Sequence, residues 1–238
     1  SVPNEFQPMG KFNIGITAGI ETDACAAPWL EGLNRMNLIL VPSQHAKDVF
    51  INTKYDKLDE RTKQKVSELT CNTQVEVLFE GLNLDIFNKT TDISSGIEEE
   101  MKNINEKFCF LYCGHWLQGA RGHDRKDTGM MVKTFIETFK NTGHTKRPAL
   151  IMKTSMATFS IIDRVEILKK IEKIKSEYSG QSIPNIYLLH GDLTPKEMNE
   201  LYNHPKVKAM ISFTHGEGFG RPLLEFSVTQ KPVIAPNW

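Results

Sequence analysis

The chain has no apolar run that approaches the ~20 residues a membrane-spanning helix needs, so the sequence predicts no integral membrane segment. It also has no net charge, with 29 Lys and Arg against 29 Asp and Glu. This balance excludes the electrostatic pattern of a nucleic-acid or anionic-membrane binder. No signal-peptide pattern begins at Ser1. Peripheral contact with a membrane stays open.

Cysteine is scarce as well. The four cysteines form no C-x-x-C pair and have no histidine pattern beside them, so the sequence does not indicate a zinc site. Cys109 and Cys113 lie in an apolar run and are expected to be reduced core residues. Reduced cysteines predict a cytoplasmic location.

What the chain does have is a regular alternation of short apolar runs and amphipathic stretches. The helix predicted over 163–178 carries apolar residues at helical spacing, namely Val165, Leu168, Ile171 and Ile174. Thr194 and Glu197 have the spacing of a capping box at a helix start. Residues 54–70 are charged, which favours a surface helix or loop. Repeated βα units predict a parallel sheet covered on both faces, with ligands bound outside the carboxyl ends of its strands.

The most informative segment is glycine-rich and lies near the end of the sequence. The apolar run Ala209–Phe213 predicts a strand, and Gly216, Gly218 and Gly220 follow at alternate positions. Glycine lets the backbone approach a ligand closely. Pro222 suits the first turn of a helix, where free N–H groups and the helix dipole favour a phosphate. The sequence therefore predicts an anion site here.

Two glutamates accompany these glycines. Glu217 lies in the loop and Glu225 inside the predicted helix, and helical side chains lean toward the N-terminus, so both can face one cleft. Ionised carboxylates only accept hydrogen bonds, which suits sugar hydroxyls better than phosphates. On spacing alone, an ordinary strand-loop-helix turn is an equal alternative, because glycine-rich loops are common. The glycines also lack the spacing of the dinucleotide fingerprint.

The segment Glu217–Glu225, followed by Lys231–Ala235, resembles the donor-site signature of retaining GT-B glycosyltransferases. This family includes sucrose synthases and bacterial mannosyltransferases. The resemblance implies that Glu217 contacts the donor sugar and Glu225 the nucleotide ribose. It also implies a GT-B-like α/β fold, in which a Rossmann-like, doubly wound parallel sheet binds the donor and a partial second Rossmann-like domain accompanies it.

The segment Val75–Phe87 resembles the family's interdomain passage, although Glu80 replaces an asparagine and Asn83 is an insertion-like departure. The resemblance implies a partial acceptor-side domain over residues 1–80 and a donor-binding domain over residues 81–238. Complete family members are longer at both ends. We therefore expect either a fragment or a naturally short enzyme that compensates by self-association.

The loop over residues 114–127 supplies the positive charge that a diphosphate leaving group requires. Arg125-Lys126 resembles the family's R-K pair before a helix, which implies that Lys126 binds the diphosphate with Arg125 beside it. A cation at a helix start opposes the helix dipole, which favours a functional role over mere exposure. His115 stands where the family often has arginine, which leaves Arg121 and Arg125 as candidates to replace it.

The resemblance thus implies three catalytic residues, namely Glu217, Lys126 and Arg125. The residues implied in donor binding are His115, Thr214, His215, Gly216, Gly218, Phe219, Gly220 and Glu225. A satisfied structural histidine is an equal alternative for His215. On the acceptor side, Glu21 and Asp23 follow the first strand, where a solvated or helix-capping role is as consistent.

The predicted function is transfer of a sugar from a nucleotide sugar to a hydroxyl of an unidentified acceptor (glycan, lipid or protein), with retention of configuration. The sequence has no Asp-x-Asp pair, which argues against the metal-dependent, single-domain transferases, and we expect neither a metal nor another cofactor. Two alternatives stay open. One is a non-catalytic or truncated nucleotide-sugar-binding module, and the other is a GT-B-fold sugar epimerase or phosphorylase.

Overall fold

The computed structural model describes residues 2–19, 21–117 and 121–237. The chain forms two compact units, one of Ser1–Gly81 with Gly216–Phe219 and the other of Leu82–His215 with Gly220–Trp238. The main division along the chain falls after Gly81. Which unit binds a donor and which an acceptor stays a prediction. No helix in the described ranges is both long and apolar enough to cross a membrane.

The first unit is an α/β structure. Its strands are β1 (Ile14–Ile16), β2 (Leu38–Val41), β3 (Tyr55–Leu58), β4 (Lys65–Leu69) and β5 (Gln74–Val77). Its helices are a short 3-10 turn (Pro3–Glu5), α1 (Ala27–Leu33) and α2 (Gln44–Asn52). Three of the strands form a parallel sheet in the order β1-β2-β5.

Local sequence signals explain the helices of this unit. Pro28 lies in the first turn of α1, and the Ser43 hydroxyl accepts a hydrogen bond from Ala46 N at 3.2 Å at the start of α2. Both helices pack on one face of the sheet, in a core that includes Leu30, Leu33, Ile39, Phe50 and Val75. The helices and the sheet thus share one apolar core.

Residues 54–70 contain an antiparallel hairpin of β3 and β4, so the predicted surface helix or loop is wrong. Tyr55 pairs with Leu69 and Asp56 with Glu68. Lys65 Nζ lies 2.5 Å from Asp56 Oδ1, so charged side chains pair across the two strands. Sparse apolar residues indicate exposure, but they do not distinguish an exposed hairpin from an exposed helix.

The second unit contains a five-stranded parallel sheet in the order β10-β9-β6-β7-β8. In chain order its elements are α3 (Ser95–Lys102), β6 (Cys109–His115), α4 (Thr128–Phe139), β7 (Ala149–Ser155), α5 (Ile161–Ser176), β8 (Ile186–Leu189), α6 (Pro195–Asn203), β9 (Val207–Ile211), α7 (Arg221–Ser227) and β10 (Val233–Ile234). This is the predicted α/β alternation, with α3 as an element that the sequence did not indicate.

Both faces of this sheet are buried, as expected for a doubly wound parallel sheet. Leu111 of β6 and Ile151 of β7 belong to one core, which also contains residues of α6 and α7. Tyr112 and Met152, one residue further along each strand, belong to the second core with residues of α4 and α5. The central strands are therefore covered on both faces up to the carboxyl edge from which the candidate segments leave.

The apolar stripe of α5 differs from the predicted one. Ile167, Ile171 and Ile174 are buried, whereas Val165 is 41% exposed. The helix begins at Ile161, two residues before the predicted start, because the Ser160 hydroxyl caps it by accepting a hydrogen bond from Asp163 N. Residues 171 and 174 were correctly placed on the buried face.

The predicted capping box at the start of α6 is confirmed. The Thr194 hydroxyl accepts a hydrogen bond from Glu197 N at 3.3 Å, and Glu197 Oε2 accepts one from Thr194 N at 2.8 Å. Two backbone donors that the helix itself cannot satisfy are thus bonded.

We expect Thr194→Ala to lower the free energy of unfolding by about 1 kcal/mol, because it leaves a first-turn N–H without its side-chain acceptor. Urea denaturation monitored by circular dichroism measures the change. Glu197→Gln is the matched control, since glutamine can also close a capping box. A Thr194→Ala midpoint equal to that of the wild type would show that this cap adds nothing to stability.

Candidate functional site

The candidate phosphate-binding residues lie where adjacent parallel strands end. β6 pairs with β9, so the segments that follow these two strands leave the same edge of the sheet. The Arg125 carbonyl accepts a hydrogen bond from His215 N at 2.8 Å and another from the Thr214 hydroxyl at 3.3 Å. The structure thus brings Arg125 together with Thr214, which lies 89 residues later in the chain, and with its neighbour His215.

Lys126 and Arg125 differ in exposure. Lys126 is half-buried and Arg125 is exposed. The stem of Lys126 passes beside Gly114, where an added Cβ would lie 3.8 Å from Lys126 Cδ and 2.9 Å from the Tyr112 hydroxyl oxygen. Glycine at position 114 therefore leaves room for the Tyr112 hydroxyl, while the lysine stem lies at an ordinary contact distance.

Acidic side chains and backbone contacts shape the loop that leads into α4. Asp127 N donates to the Asp124 carbonyl at 3.0 Å, and Asp127 Oδ1 accepts from Gly122 N at 3.0 Å. The Tyr112 hydroxyl and the Thr128 hydroxyl lie 2.7 Å apart, which ties the first residue of α4 to β6. Residues 118–120 of the predicted loop lie outside the described residues.

His115 is tied to the end of the neighbouring strand. Its Nδ1 lies 3.0 Å from the Met156 carbonyl oxygen and 2.9 Å from the Ser155 hydroxyl oxygen. A carbonyl oxygen can only accept, so Nδ1 carries the proton and a neutral ring has no N–H at Nε2. Whether His115 contacts a donor phosphate stays a prediction.

Glu225 lies on α7, and its side chain is 11% exposed. Oε1 accepts a hydrogen bond from Arg221 Nε at 3.0 Å, and Oε2 accepts one from the Tyr202 hydroxyl at 3.1 Å. Burial, followed by the nearby charges of Cys113 and Glu225, raises the pKa of Tyr202. Tyr202 is therefore held as a neutral donor that orients the carboxylate.

Sequence reasoning missed both partners of Glu225. Arg221 stands four residues before it on the same helix, a spacing at which helical side chains meet, so this signal was available. Tyr202 lies on α6 and gives no comparable signal, because its contact with Glu225 depends on how α6 and α7 pack.

Gly220 has φ 79°, in the left-handed region, directly before α7. Its carbonyl accepts hydrogen bonds from Leu223 N at 2.9 Å and Leu224 N at 3.2 Å. Of the three glycines in this segment, this one has a clear conformational reason to be glycine.

The loop Gly216–Phe219 belongs to the first unit. A Cβ added at Gly216 would clash with the side chain of Glu21. The ring of Phe219 packs against Phe79 with 5.0 Å between centroids. The structure thus places Glu21 against the glycine loop, while Asp23 is exposed two residues further on.

Metal-ligating side chains are not clustered in the part of the chain that the structure describes, where no group of three or more His, Cys, Asp and Glu could hold a metal ion. Whether the reaction requires a metal stays a prediction.

Comparison with known proteins gives no match to a family profile and none to a curated sequence. Similar solved structures do exist. Sucrose-phosphate synthase from Thermosynechococcus elongatus has a TM-score of 0.57 at 14% identity, over 87% of this chain and 42% of that chain. HepE (Alr3699) from Anabaena, in complex with UDP-glucose, has a TM-score of 0.53 at 13% identity, over 87% of this chain and 47% of that one.

A third similar structure is described as "Trehalose-6-phosphate from E. coli bound with UDP-2-fluoro glucose". Its TM-score is 0.57 at 13% identity, over 87% of this chain and 47% of that one. The chain therefore spans less than half the length of these three structures. Their likeness confirms the predicted fold class, the Rossmann-like α/β fold of GT-B glycosyltransferases.

Proposed function

We propose that this chain, which has a GT-B-type fold, transfers a sugar from a nucleotide sugar to an acceptor hydroxyl, with retention of configuration and without a metal ion. The observation that carries the proposal is the pair of hydrogen bonds from His215 N and the Thr214 hydroxyl to the Arg125 carbonyl. They hold the basic pair Arg125-Lys126 against the segment that leads to the glycines and Glu225. The nucleotide sugars bound in two of the similar structures support the same ligand class.

In the proposed reaction, the bond between the anomeric carbon and the donor phosphate oxygen breaks while a bond to the acceptor oxygen forms on the same face. The acceptor proton moves to a donor phosphate oxygen, so no protein base is required. Lys126 and Arg125 stabilise the charge that develops on the diphosphate. Glu217 accepts hydrogen bonds from the donor sugar. Glu21 is not needed as a base.

Glu225 is proposed to bind the ribose by exchanging one of its two partners. The Arg221 side chain is 63% exposed, and its contact with Glu225 spans one helical turn. Such pairs contribute only about 0.2–0.5 kcal/mol, so ribose hydroxyls can replace Arg221 at Oε1. Tyr202 is fully buried and stays bonded to Oε2, which keeps the carboxylate aimed.

A panel of UDP-glucose, GDP-mannose and ADP-glucose tests this function. We expect at least one to bind in calorimetry and to release nucleoside diphosphate faster when a suitable acceptor is added. The acceptor panel comprises a free sugar, a sugar phosphate, an alkyl glycoside and a serine-containing peptide. Addition of EDTA should leave the rate unchanged, and proton NMR of the product should show the donor's anomeric configuration.

Each of these measurements has an outcome that would contradict the proposal. If no nucleotide sugar binds, the ligand class is wrong. If one binds but its turnover is unaffected by every acceptor, the binding-module alternative is favoured. A rate lost in EDTA and restored by Mg²⁺ would contradict metal independence, and an inverted product would contradict retention.

A further inference from the structure

Asp127, the residue directly before α4, has φ 45° and ψ 37°. This left-handed conformation is uncommon for residues other than glycine, although aspartate and asparagine tolerate it better than most. Within the described ranges, its side chain makes no capping hydrogen bond to α4. An aspartate at a helix start usually stabilises the helix by accepting a hydrogen bond from a first-turn N–H. Asp127 does not do so, and the cost of its backbone conformation is therefore not offset in this way.

The Asp127 carboxylate instead joins two loops. Oδ1 accepts a hydrogen bond from Gly122 N at 3.0 Å, and Oδ2 lies 3.6 Å from His215 Nε2. The Asp127 side chain is 10% exposed and that of His215 is 50% exposed, so the carboxylate is largely shielded from water while its contact with His215 is partly solvated. The contact with Gly122 lies within the loop over residues 114–127. The contact with His215 links that loop to the segment after β9.

The basic pair lies between these contacts. Arg125 and Lys126 follow Gly122 and precede Asp127, and the Arg125 carbonyl is bonded to His215 N and the Thr214 hydroxyl. Backbone and carboxylate contacts therefore fix the peptide on both sides of Lys126. Strained residues persist where the surrounding structure requires them, and such places are often functional.

We propose that Asp127 is a positioning residue for the donor diphosphate. Its carboxylate holds the loop so that Lys126 and Arg125 present their charges together, and the left-handed backbone is the cost of placing it there. This inference rests on the proposed function. A carboxylate repels phosphate, so Asp127 acts through its neighbours and does not touch the donor.

Three variants separate positioning from an ordinary structural role. Asp127→Gly relieves the backbone strain and removes both side-chain contacts. Asp127→Asn keeps an acceptor for Gly122 N in a residue that tolerates this conformation. Asn141→Gly is the matched control, since Asn141 also has positive φ, at 62°, and none of the candidate residues lies beside it in the chain.

For Asp127→Gly we expect opposite shifts in stability and binding. Its thermal midpoint should equal or exceed that of the wild type, while the dissociation constant for UDP-glucose, measured by calorimetry, rises about tenfold. Asp127→Asn should bind within about threefold of the wild type, because it retains the link to Gly122. Asn141→Gly should match the wild type in binding. Where the wild type prefers another nucleotide sugar of the panel, that one replaces UDP-glucose.

Two results would contradict the role of Asp127 without contradicting the proposed function. The first is unchanged donor binding in Asp127→Gly. The second is a joint loss of thermal midpoint and binding in both Asp127 variants, which would make the residue structural. If the wild type binds no nucleotide sugar at all, the proposed function fails and this inference fails with it.

Discussion

Replacing Lys126 with alanine is expected to lower kcat on the order of 100- to 1,000-fold, the usual effect of removing one preorganised charge-stabilising group. The Lys126 side chain is half-buried and its stem lies beside Gly114, so its charge is less screened by water than that of an exposed side chain. Charge on the leaving diphosphate grows toward the transition state, so kcat should fall more than donor affinity. Steady-state kinetics with the best nucleotide sugar of the panel give both values.

Two further variants control this experiment. Arg125→Ala should reduce kcat less than Lys126→Ala, because Arg125 is exposed and its charge is screened by water. Lys169→Ala removes a surface lysine paired with Glu166 on α5 and should leave the kinetics unchanged. If Lys126→Ala retains kcat within about threefold of the wild type, the diphosphate is not stabilised by this lysine.

The parts of the fold that could be predicted are those that local rules determine. The capping box of α6 and the βα alternation after Phe108 depend on residues close in sequence. The helix α3 was missed because only Ile97 and Met101 of its eight residues are buried, which is too few to establish a helical period. The hairpin of β3 and β4 was missed because its exposed strands show no apolar alternation.

Some residues of the candidate site could likewise be predicted from contiguous sequence, whereas others could not. The glycine loop, both glutamates and Arg125-Lys126 are predicted from a resemblance carried by contiguous residues, and their roles stay predictions. Tyr202 was missed because its distance from Glu225 depends on how α6 and α7 pack. Asp127 was missed because nothing in the neighbouring sequence indicates a left-handed backbone at this position.

Glu225→Ala should have the second large effect, because it removes the hydrogen-bond acceptor of the Tyr202 hydroxyl and also the proposed acceptor for the ribose. The Tyr202 hydroxyl is fully buried and loses its carboxylate partner at 3.1 Å, which leaves the thiol of Cys113, a weak acceptor, beside it. An unsatisfied buried donor costs about 1–3 kcal/mol, so the free energy of unfolding should fall by that amount. The proposed ribose contact is lost as well. A hydrogen bond to a charged group contributes about 1.5–3 kcal/mol, which raises the donor dissociation constant on the order of 10- to 100-fold.

The variant Tyr202→Phe separates the effect of Glu225→Ala on stability from its effect on donor affinity. In the Tyr202→Phe background no hydroxyl is left unsatisfied, so adding Glu225→Ala should cost less stability than it does in the wild type. The loss of donor affinity should persist in the double variant, since Glu225 is proposed to touch the ribose directly. Urea denaturation and calorimetry with the preferred nucleotide sugar measure the two quantities. Should Glu225→Ala leave the donor dissociation constant unchanged in the wild-type background, the carboxylate would not be a ribose ligand.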